Sequence, residues 1–378
     1  MADVYQEALA LHERSRGKLE IKSKVPLADR QALSLAYTPG VAAVSTAIGG
    51  DKRLAYKYTM KSNMVAVVSD GSAILGLGNL GPEAALPVME GKAILFKEFA
   101  GVDAFPICLA TQDPEEIIKA VKLLAPVFGG INLEDISAPR CFEIEERLVR
   151  ELDIPVMHDD QRGTATVVLA ALINALKVKG LAAAQARVVV NGAGAAGTAV
   201  AKMLLAYGFA DVIVCDSRGI VSRGRADLNP SKRSLAELTN PRSLKGDLAA
   251  ALKNADIFIG VSVKNALKPE LVLLMNPGPI IFAMANPTPE IMPDDAKAAG
   301  ALVVATGRSD FPNQVNNVLA FPGIFRGALD HGVKRIEDRM LLEAAKNLAA
   351  CVAAPDAEHI LPDPFDRRIV ERVAEAII

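Results

Sequence analysis

Hydrophobic positions along this chain fall in short β-branched runs, separated by stretches in which apolar residues recur at helical spacing. MVAVVSD (64 to 70) reads as a buried strand, and Pro82 to Phe99 follows with a helical period. DAFPICL (103 to 109) is a second strand, Asp113-Pro114 opens the helix PEEIIKAVKLLAPV with proline in its first turn, and INLED (131 to 135) is a third strand. A helix from Arg140 to Leu152 leads to the strand PVM (155 to 157), after which His158-Asp159-Asp160-Gln161-Arg162-Gly163-Thr164 opens a long apolar helix toward Lys179. RVVVNGAG, DVIVCD, ADIFIGV, PIIFAMAN and ALVVATG then supply five more strands, each separated by a segment of helical character.

Strand and helix in alternation predict an α/β fold with mainly parallel sheets, whose ligands sit beyond the carboxyl ends of the strands. We expect an N-terminal α/β substrate and metal domain over residues 1–158 and a Rossmann-type parallel sheet domain over 159–316, with the hinge near Asp159. A C-terminal helical segment, 317–378, turns charged from Arg335 onward and is expected to pack back on the first domain. The length of 378 residues fits two domains.

Lys and Arg total 42 against 44 Asp and Glu, a formal net charge of −2, so neither nucleic acid nor an anionic membrane is an expected partner. A small molecule is. Cys108, Cys141, Cys215 and Cys351 form no C-x-x-C pair and have no histidine at zinc-finger spacing, which predicts a reduced, cytoplasmic protein without disulfides. The start of the chain lacks the basic-then-apolar order of a signal peptide, and no apolar run reaches the length of a membrane span, so the hydrophobic fraction of 51% reads as buried core.

The strand Arg187 to Val190 runs into Gly192-Ala193-Gly194-Ala195-Ala196-Gly197, and a helix continues through Met203, Leu204 and Leu205. In that context backbone N–H groups and the helix N-terminus face a dinucleotide pyrophosphate; the competing reading is a glycine turn that only permits close helix packing. Roughly 20 residues on, a strand ends in Asp216, placed to accept from a ribose 2′-hydroxyl. Asp216 favours NAD by charge, whereas Ser217, Arg218 and Arg223 could meet the 2′-phosphate of NADP or belong to a solvated loop. Both cofactors stay open.

Glu134-Asp135 ends one strand and Asp159-Asp160 ends the next, so the fold brings both pairs to one sheet edge, where carboxylates suit a hard divalent ion such as Mg²⁺ or Mn²⁺. Adjacent ligands require the backbone to leave β geometry, which predicts a turn or helix start at Glu134. Alternation at the second pair sends one aspartate to the metal and leaves the other for chemistry. A helix N-cap, for instance at Asp160, is the plainer reading of either pair alone.

Tyr37, in Tyr37-Thr38-Pro39-Gly40-Val41, could act as an acid beside a cation, and Lys92, inside an apolar helical stretch, could act as a base with a pKa lowered by desolvation. The plainer readings are a core tyrosine with a satisfied hydroxyl and a snorkelling lysine.

Seven stretches in order resemble the malic enzymes in their short prokaryotic form: AYTPGV (36 to 41), VVSDGSAILGLGNLGP (67 to 82), PVMEGKAILFKEFAG (87 to 101), INLEDISAPRCFEIE (131 to 145), HDDQRGTA (158 to 165), FAMANPTPEI (282 to 291) and NQVNNVLAFPGIFRGALD (313 to 330). The resemblance implies Tyr37 as general acid, Lys92 as general base, Asp159 as the group that holds and tunes Lys92, and Glu134, Asp135 and Asp160 as metal ligands. It likewise implies that Asn286, Asn316 and Asn317 contact substrate and nicotinamide, although an asparagine before Pro287 is also a common turn residue. The implied reaction is metal-dependent oxidative decarboxylation of malate to pyruvate and CO2 with reduction of NAD or NADP, in a homodimer or higher homo-oligomer. A malolactic-type decarboxylation of malate to lactate with bound NAD is the near alternative, and a non-catalytic dinucleotide-binding redox sensor the distant one. Two positions depart from the family pattern. Ala73 stands where longer members carry an arginine for the substrate carboxylate, and Arg162 stands where short relatives commonly have histidine.

Overall fold

A computed structural model describes residues 2–74 and 76–378. It contains two sheets joined through a shared core. The first has the strand order β2-β1-β3-β4, all parallel, built from Asp103–Cys108, Met64–Ser69, Gly130–Leu133 and Val156–His158. The second has the order β10-β9-β8-β5-β6-β7, from Val303–Thr306, Ile280–Ala283, Ile257–Gly260, Arg187–Asn191, Asp211–Asp216 and Gly219–Ile220, parallel except for the short antiparallel edge strand β7.

Both faces of β1 are covered, which is why its sequence reads as an unbroken apolar run rather than an alternation. Val65 and Val67 face a core with Met89 and Phe96 of the helix Pro82–Ala100. Ala66 and Val68 face the opposite core, with Ile117 and Val121 of the helix Pro114–Leu124 and Ile144 and Leu148 of the helix Arg140–Glu151. The helix Thr164–Lys179 is buried on nearly every side and forms the centre of the molecule, consistent with its lack of a polar face.

The C-terminal segment, expected as a whole to return to the first domain, divides its packing between the two parts. The helix that packs on Pro82–Ala100 is Phe321–Asp330, earlier than Arg335, and it does so through Phe96, whose ring meets Phe321 and Phe325 edge-on at 4.7 and 5.4 Å. Truncation of such a buried ring to alanine costs about 3–5 kcal/mol. The charged helix Asp338–Ala350 packs on Thr164–Lys179 instead, where Asn174 donates to the carbonyls of Ala349 and Ile360 at 2.8 and 3.0 Å. These carbonyls lie at and beyond the end of that helix, so the buried amide ties the helix end to the segment that follows it.

The N-terminal segment is of another character. The helices Arg30–Ala36, Val41–Gly50 and Ala55–Tyr58 bury none of their residues, and Leu33, Leu35, Val41, Val44, Tyr56 and Tyr58 are exposed. Arg30–Gly50 has the length and composition of a membrane span, 21 residues, but the chain breaks between Ala36 and Val41 into helices of 7 and 10 residues. Ten residues rise only about 15 Å, half the hydrocarbon core of a bilayer.

Candidate active site

The register Leu133↔His158 between β3 and β4 sets the residues that follow each strand side by side. At Asp135 the backbone turns into the left-handed region, φ 53°, so the chain leaves β geometry where two adjacent ligands require it. The second pair achieves the same end by a route the sequence did not indicate. Asp159–Gly163 is a single π-helical turn, so the separation of the two aspartates comes from helical rotation and not from strand alternation. Asp159 turns inward, fully buried, while Asp160 joins Glu134 and Asp135, with one ligand atom from each lying within 4.8 Å of the others.

Hydrogen bonds fix these carboxylates. Asp160 Oδ2 accepts from the backbone N–H of Asp135 at 2.9 Å, and Glu134 Oε2 accepts from Asn132 Nδ2 at 2.9 Å. Lys92, 6% exposed, projects from the helix Pro82–Ala100 and places its ammonium 2.5 Å from Asp159 Oδ2, 2.9 Å from Glu134 Oε1 and 4.1 Å from the centre of the Phe321 ring. Gly163 makes room for this arrangement. A Cβ there would lie 1.8 Å from Asp159 Oδ1.

The electrostatics correct one expectation. Burial by itself would lower the Lys92 pKa, but Asp159 and Glu134 outweigh it and hold the ammonium above the ordinary lysine range. Lys92 is therefore a charged, proton-loaded group as the site stands, not a lysine made basic by desolvation. Burial pushes the Glu134 carboxyl well up, against the pull of Lys92 and with added repulsion from Asp160, Asp159 and Asp135; burial also raises Asp159. Glu134 and Asp159, the two carboxyls in contact with the Lys92 ammonium, thus hold a proton more readily than they would in water. A set of acidic oxygens with an excess of negative charge fits a divalent cation.

Tyr37 is not brought to this cluster within the chain. It caps the helix Arg30–Ala36 and is 67% exposed. Asn317 lies beside Gly163, whereas Asn316 spends its side-chain oxygen on the backbone N–H of Val318, capping the turn Asn317–Leu319. Asn286 is exposed in the loop after β9; its carbonyl lies 2.5 Å from where a Cβ on Gly76 would be, so the loops after β1 and β9 meet closely. Arg162 turns away to the C-terminal segment, donating to the carbonyl of Ile336 at 2.9 Å and pairing with Asp338. Near Ala73, the buried Asp70 accepts from Arg140 Nη2 at 2.9 Å and from Ser72 Oγ at 2.5 Å.

The glycine loop takes the predicted form. Gly192 has φ 127° and a Cβ on Gly197 would lie 1.7 Å from the Gly192 carbonyl, so the strand β5 and the helix Ala195–Tyr207 approach only because residue 197 lacks a side chain. Beside the loop is a cleft of about 780 Å³ lined by Gly192, Ala193, Gly194, Asp216, Arg218 and Lys232 among others, with Pro139 and Phe142 on its far wall. A wider cleft, about 930 Å³, lies along the outer side of the helix Arg140–Glu151 and holds none of the Lys92 cluster. Asn132, Gly163, Phe321, Arg225 and Lys232 were not singled out from the sequence. Only Gly163, spaced one helical turn from Asp159, carried a signal there.

Two family profiles match the chain, Malic enzyme, N-terminal domain over residues 16–149 and Malic enzyme, NAD binding domain over residues 161–378. The chain belongs to the malic enzymes. It is 57% identical over 375 residues to the bifunctional malic/malolactic enzyme of Bacillus subtilis (strain 168), covering 98% of this chain and 92% of that one. The NAD-dependent malic enzyme of Geobacillus stearothermophilus is 57% identical over 96% of this chain and 76% of its own length. Among solved structures, the NAD-dependent malic enzyme of Thermotoga maritima superposes with a TM-score of 0.95 at 52% identity, covering 98% of both chains. As a malic enzyme the protein is an NAD(P)-dependent decarboxylating malate dehydrogenase, and the reading as a non-catalytic redox sensor falls.

Proposed function

We propose that the Lys92–Asp159–Glu134 cluster is the catalytic centre for conversion of malate to pyruvate and CO2, with Glu134, Asp135 and Asp160 holding Mg²⁺ or Mn²⁺. The observation that carries this reading is the inward turn of Asp159 onto Lys92 while Asp160 faces Glu134 and Asp135. A bound divalent cation would supply Lewis acidity toward the 2-oxygen of the substrate, and the nicotinamide would accept the electron pair from C2.

Lys92 takes the proton of the 2-hydroxyl as C2 is oxidised. To act as the base Lys92 must enter the reaction as the neutral amine, and Asp159, 2.5 Å away, holds its nitrogen in place. After CO2 leaves, Tyr37 delivers a proton to C3. Asn317, beside Gly163, and Asn286 orient substrate and nicotinamide, while Asn316 holds the turn that carries Asn317.

Tyr37 reaches Lys92 from a second copy of the chain in this reading. The unburied apolar helices on either side of Tyr37 support a homodimer that covers them, since an exposed apolar face of this extent marks an association surface. Four free cysteines fit a reducing, cytoplasmic setting.

The test is formation of reduced nicotinamide from malate, crossing NAD and NADP with Mg²⁺, Mn²⁺ and chelator. Malate-dependent reduction that chelator abolishes and either cation restores is expected; full activity in chelator contradicts the metal assignment. The name of the Bacillus subtilis relative favours a second reading, malolactic conversion at the same site, which would appear as lactate formed without net reduced nicotinamide.

A further inference from the structure

The adenosine end of the nucleotide cleft carries a charge arrangement opposite to the one Asp216 implies on its own. A carboxylate ending this strand favours the unphosphorylated nucleotide when its oxygens are open to the ribose hydroxyls. Those of Asp216 are not open. Oδ1 accepts from Arg225 Nη1 at 2.9 Å and from the backbone N–H of Arg218 at 3.0 Å, while Oδ2 accepts from Lys232 Nζ at 2.6 Å and Arg225 Nη2 at 3.2 Å. Four donors fill the roughly four acceptor positions a carboxylate has. The side chain is only 7% exposed, and although burial alone would raise its pKa, Arg225 and Lys232 hold the carboxyl below its usual range. Asp216 stays ionised as a counter-ion.

Three cations, Arg218, Arg225 and Lys232, gather around it. Arg225 bridges Asp216 and Asp227, with Nη2 2.6 Å from Asp227 Oδ2, and Lys232 is held by Asp216. Arg218 is the most loosely held of them: it is 71% exposed and its ion pair with Asp227, at 3.3 Å, is to the oxygen that Arg225 already holds at 2.6 Å. Arg218 also stands on the boundary of two clefts. One is the nucleotide cleft; the other, about 350 Å³, is lined by Arg218, Arg223, Arg225 and Lys245 and has no carboxylate in its wall.

We propose that the protein takes NADP in preference to NAD, with the 2′-phosphate gripped by Arg218 at the mouth of the Arg223–Arg225–Lys245 cleft and Asp216 anchoring Arg225 and Lys232 instead of accepting from the ribose. The inference rests on the reading of Gly192–Gly197 as the dinucleotide loop. A 2′-phosphate carries close to two negative charges near neutral pH, and a guanidinium offers the paired donors that match its oxygens. The cleft beyond Arg218 adds Lys245, beside Arg223 paired with Glu237 and Arg225 paired with Asp216 and Asp227.

The experiment is calorimetric binding of adenosine 2′,5′-bisphosphate and adenosine 5′-monophosphate, which differ only in the 2′-phosphate, to the metal-free protein. The bisphosphate is expected to bind at least about tenfold tighter, with an advantage that shrinks as salt rises. Arg218→Gln is expected to collapse the ratio of the two affinities toward one, and the wild-type kcat/KM is expected to favour NADP over NAD by a similar factor. Equal binding, or tighter binding of the monophosphate, overturns the inference and leaves the dinucleotide reading standing. Binding of neither ligand defeats the dinucleotide reading and the inference with it. An undiminished ratio in Arg218→Gln overturns the assignment to Arg218.

Discussion

Asp159 and Gly163 are four residues apart and compete for one space: Oδ1 of Asp159 lies 1.8 Å from the position of a Cβ on residue 163. The π-helical turn that joins them aims Asp159 at Lys92, and it closes only because residue 163 has no side chain. Gly163→Ala must move Asp159 or open the turn. Displacement of a catalytic group by about 1 Å costs roughly a hundredfold, so kcat is expected to fall by about that factor while nucleotide binding persists. Steady-state kinetics beside nucleotide calorimetry measure it; unchanged kcat in a folded variant contradicts the role given to Asp159.

The acidic cluster makes metal binding pH-dependent with a definite sign. Because burial raises the Glu134 carboxyl, its contribution to stability is fully present below the ordinary carboxylate range and is lost as pH rises through the raised value. The metal-free protein should therefore lose stability from weakly acidic to neutral pH relative to Glu134→Gln, which lacks the titrating group. Mg²⁺ or Mn²⁺ should raise the wild-type melting temperature most at neutral pH and leave Glu134→Gln nearly unmoved. Melting curves across pH with and without metal check this, and an equal metal effect in both proteins contradicts it.

Shared sites predict complementation. Tyr37→Phe and Lys92→Ala are each expected to be inactive alone, but co-refolded or co-expressed they form mixed dimers in which one site carries both wild-type groups. With random pairing the mixture should regain about a quarter of wild-type activity, since half the dimers are mixed and each has one intact site. No regain from dimers shown to be mixed would put Tyr37 in the same chain as its Lys92.

Much of the scaffold was legible in the sequence because it rests on local pattern. β1 to β6 and β8 to β10 follow from short apolar runs, the two-residue edge strand β7 was not anticipated, and the glycine loop follows from its place between strand and helix. The acidic pairs were legible as strand ends, and the left-handed Asp135 meets the stated need to leave β geometry. What lay beyond the sequence depends on neighbours distant along the chain. The direction of the Lys92 pKa is set by Glu134 and Asp159, 42 and 67 residues on, and so reversed the expectation from burial alone. The partners of Asp216 were likewise hidden, since Arg225 and Lys232, 9 and 16 residues later, fold back onto it from a loop and a helix start. The return to the first sheet falls within the expected 317–378 segment, but the contact is made by Phe321 and Phe325 against Phe96 and not by the charged stretch after Arg335.

Lys92→Ala tests the central claim most directly. The variant is expected to lower malate-dependent reduction of nicotinamide by at least about a thousandfold, within the range assigned to a positioned base, while nucleotide binding by calorimetry and the folded circular-dichroism spectrum are retained. Turnover near the wild-type value in that protein would contradict the assignment of the chemistry to the Lys92 cluster.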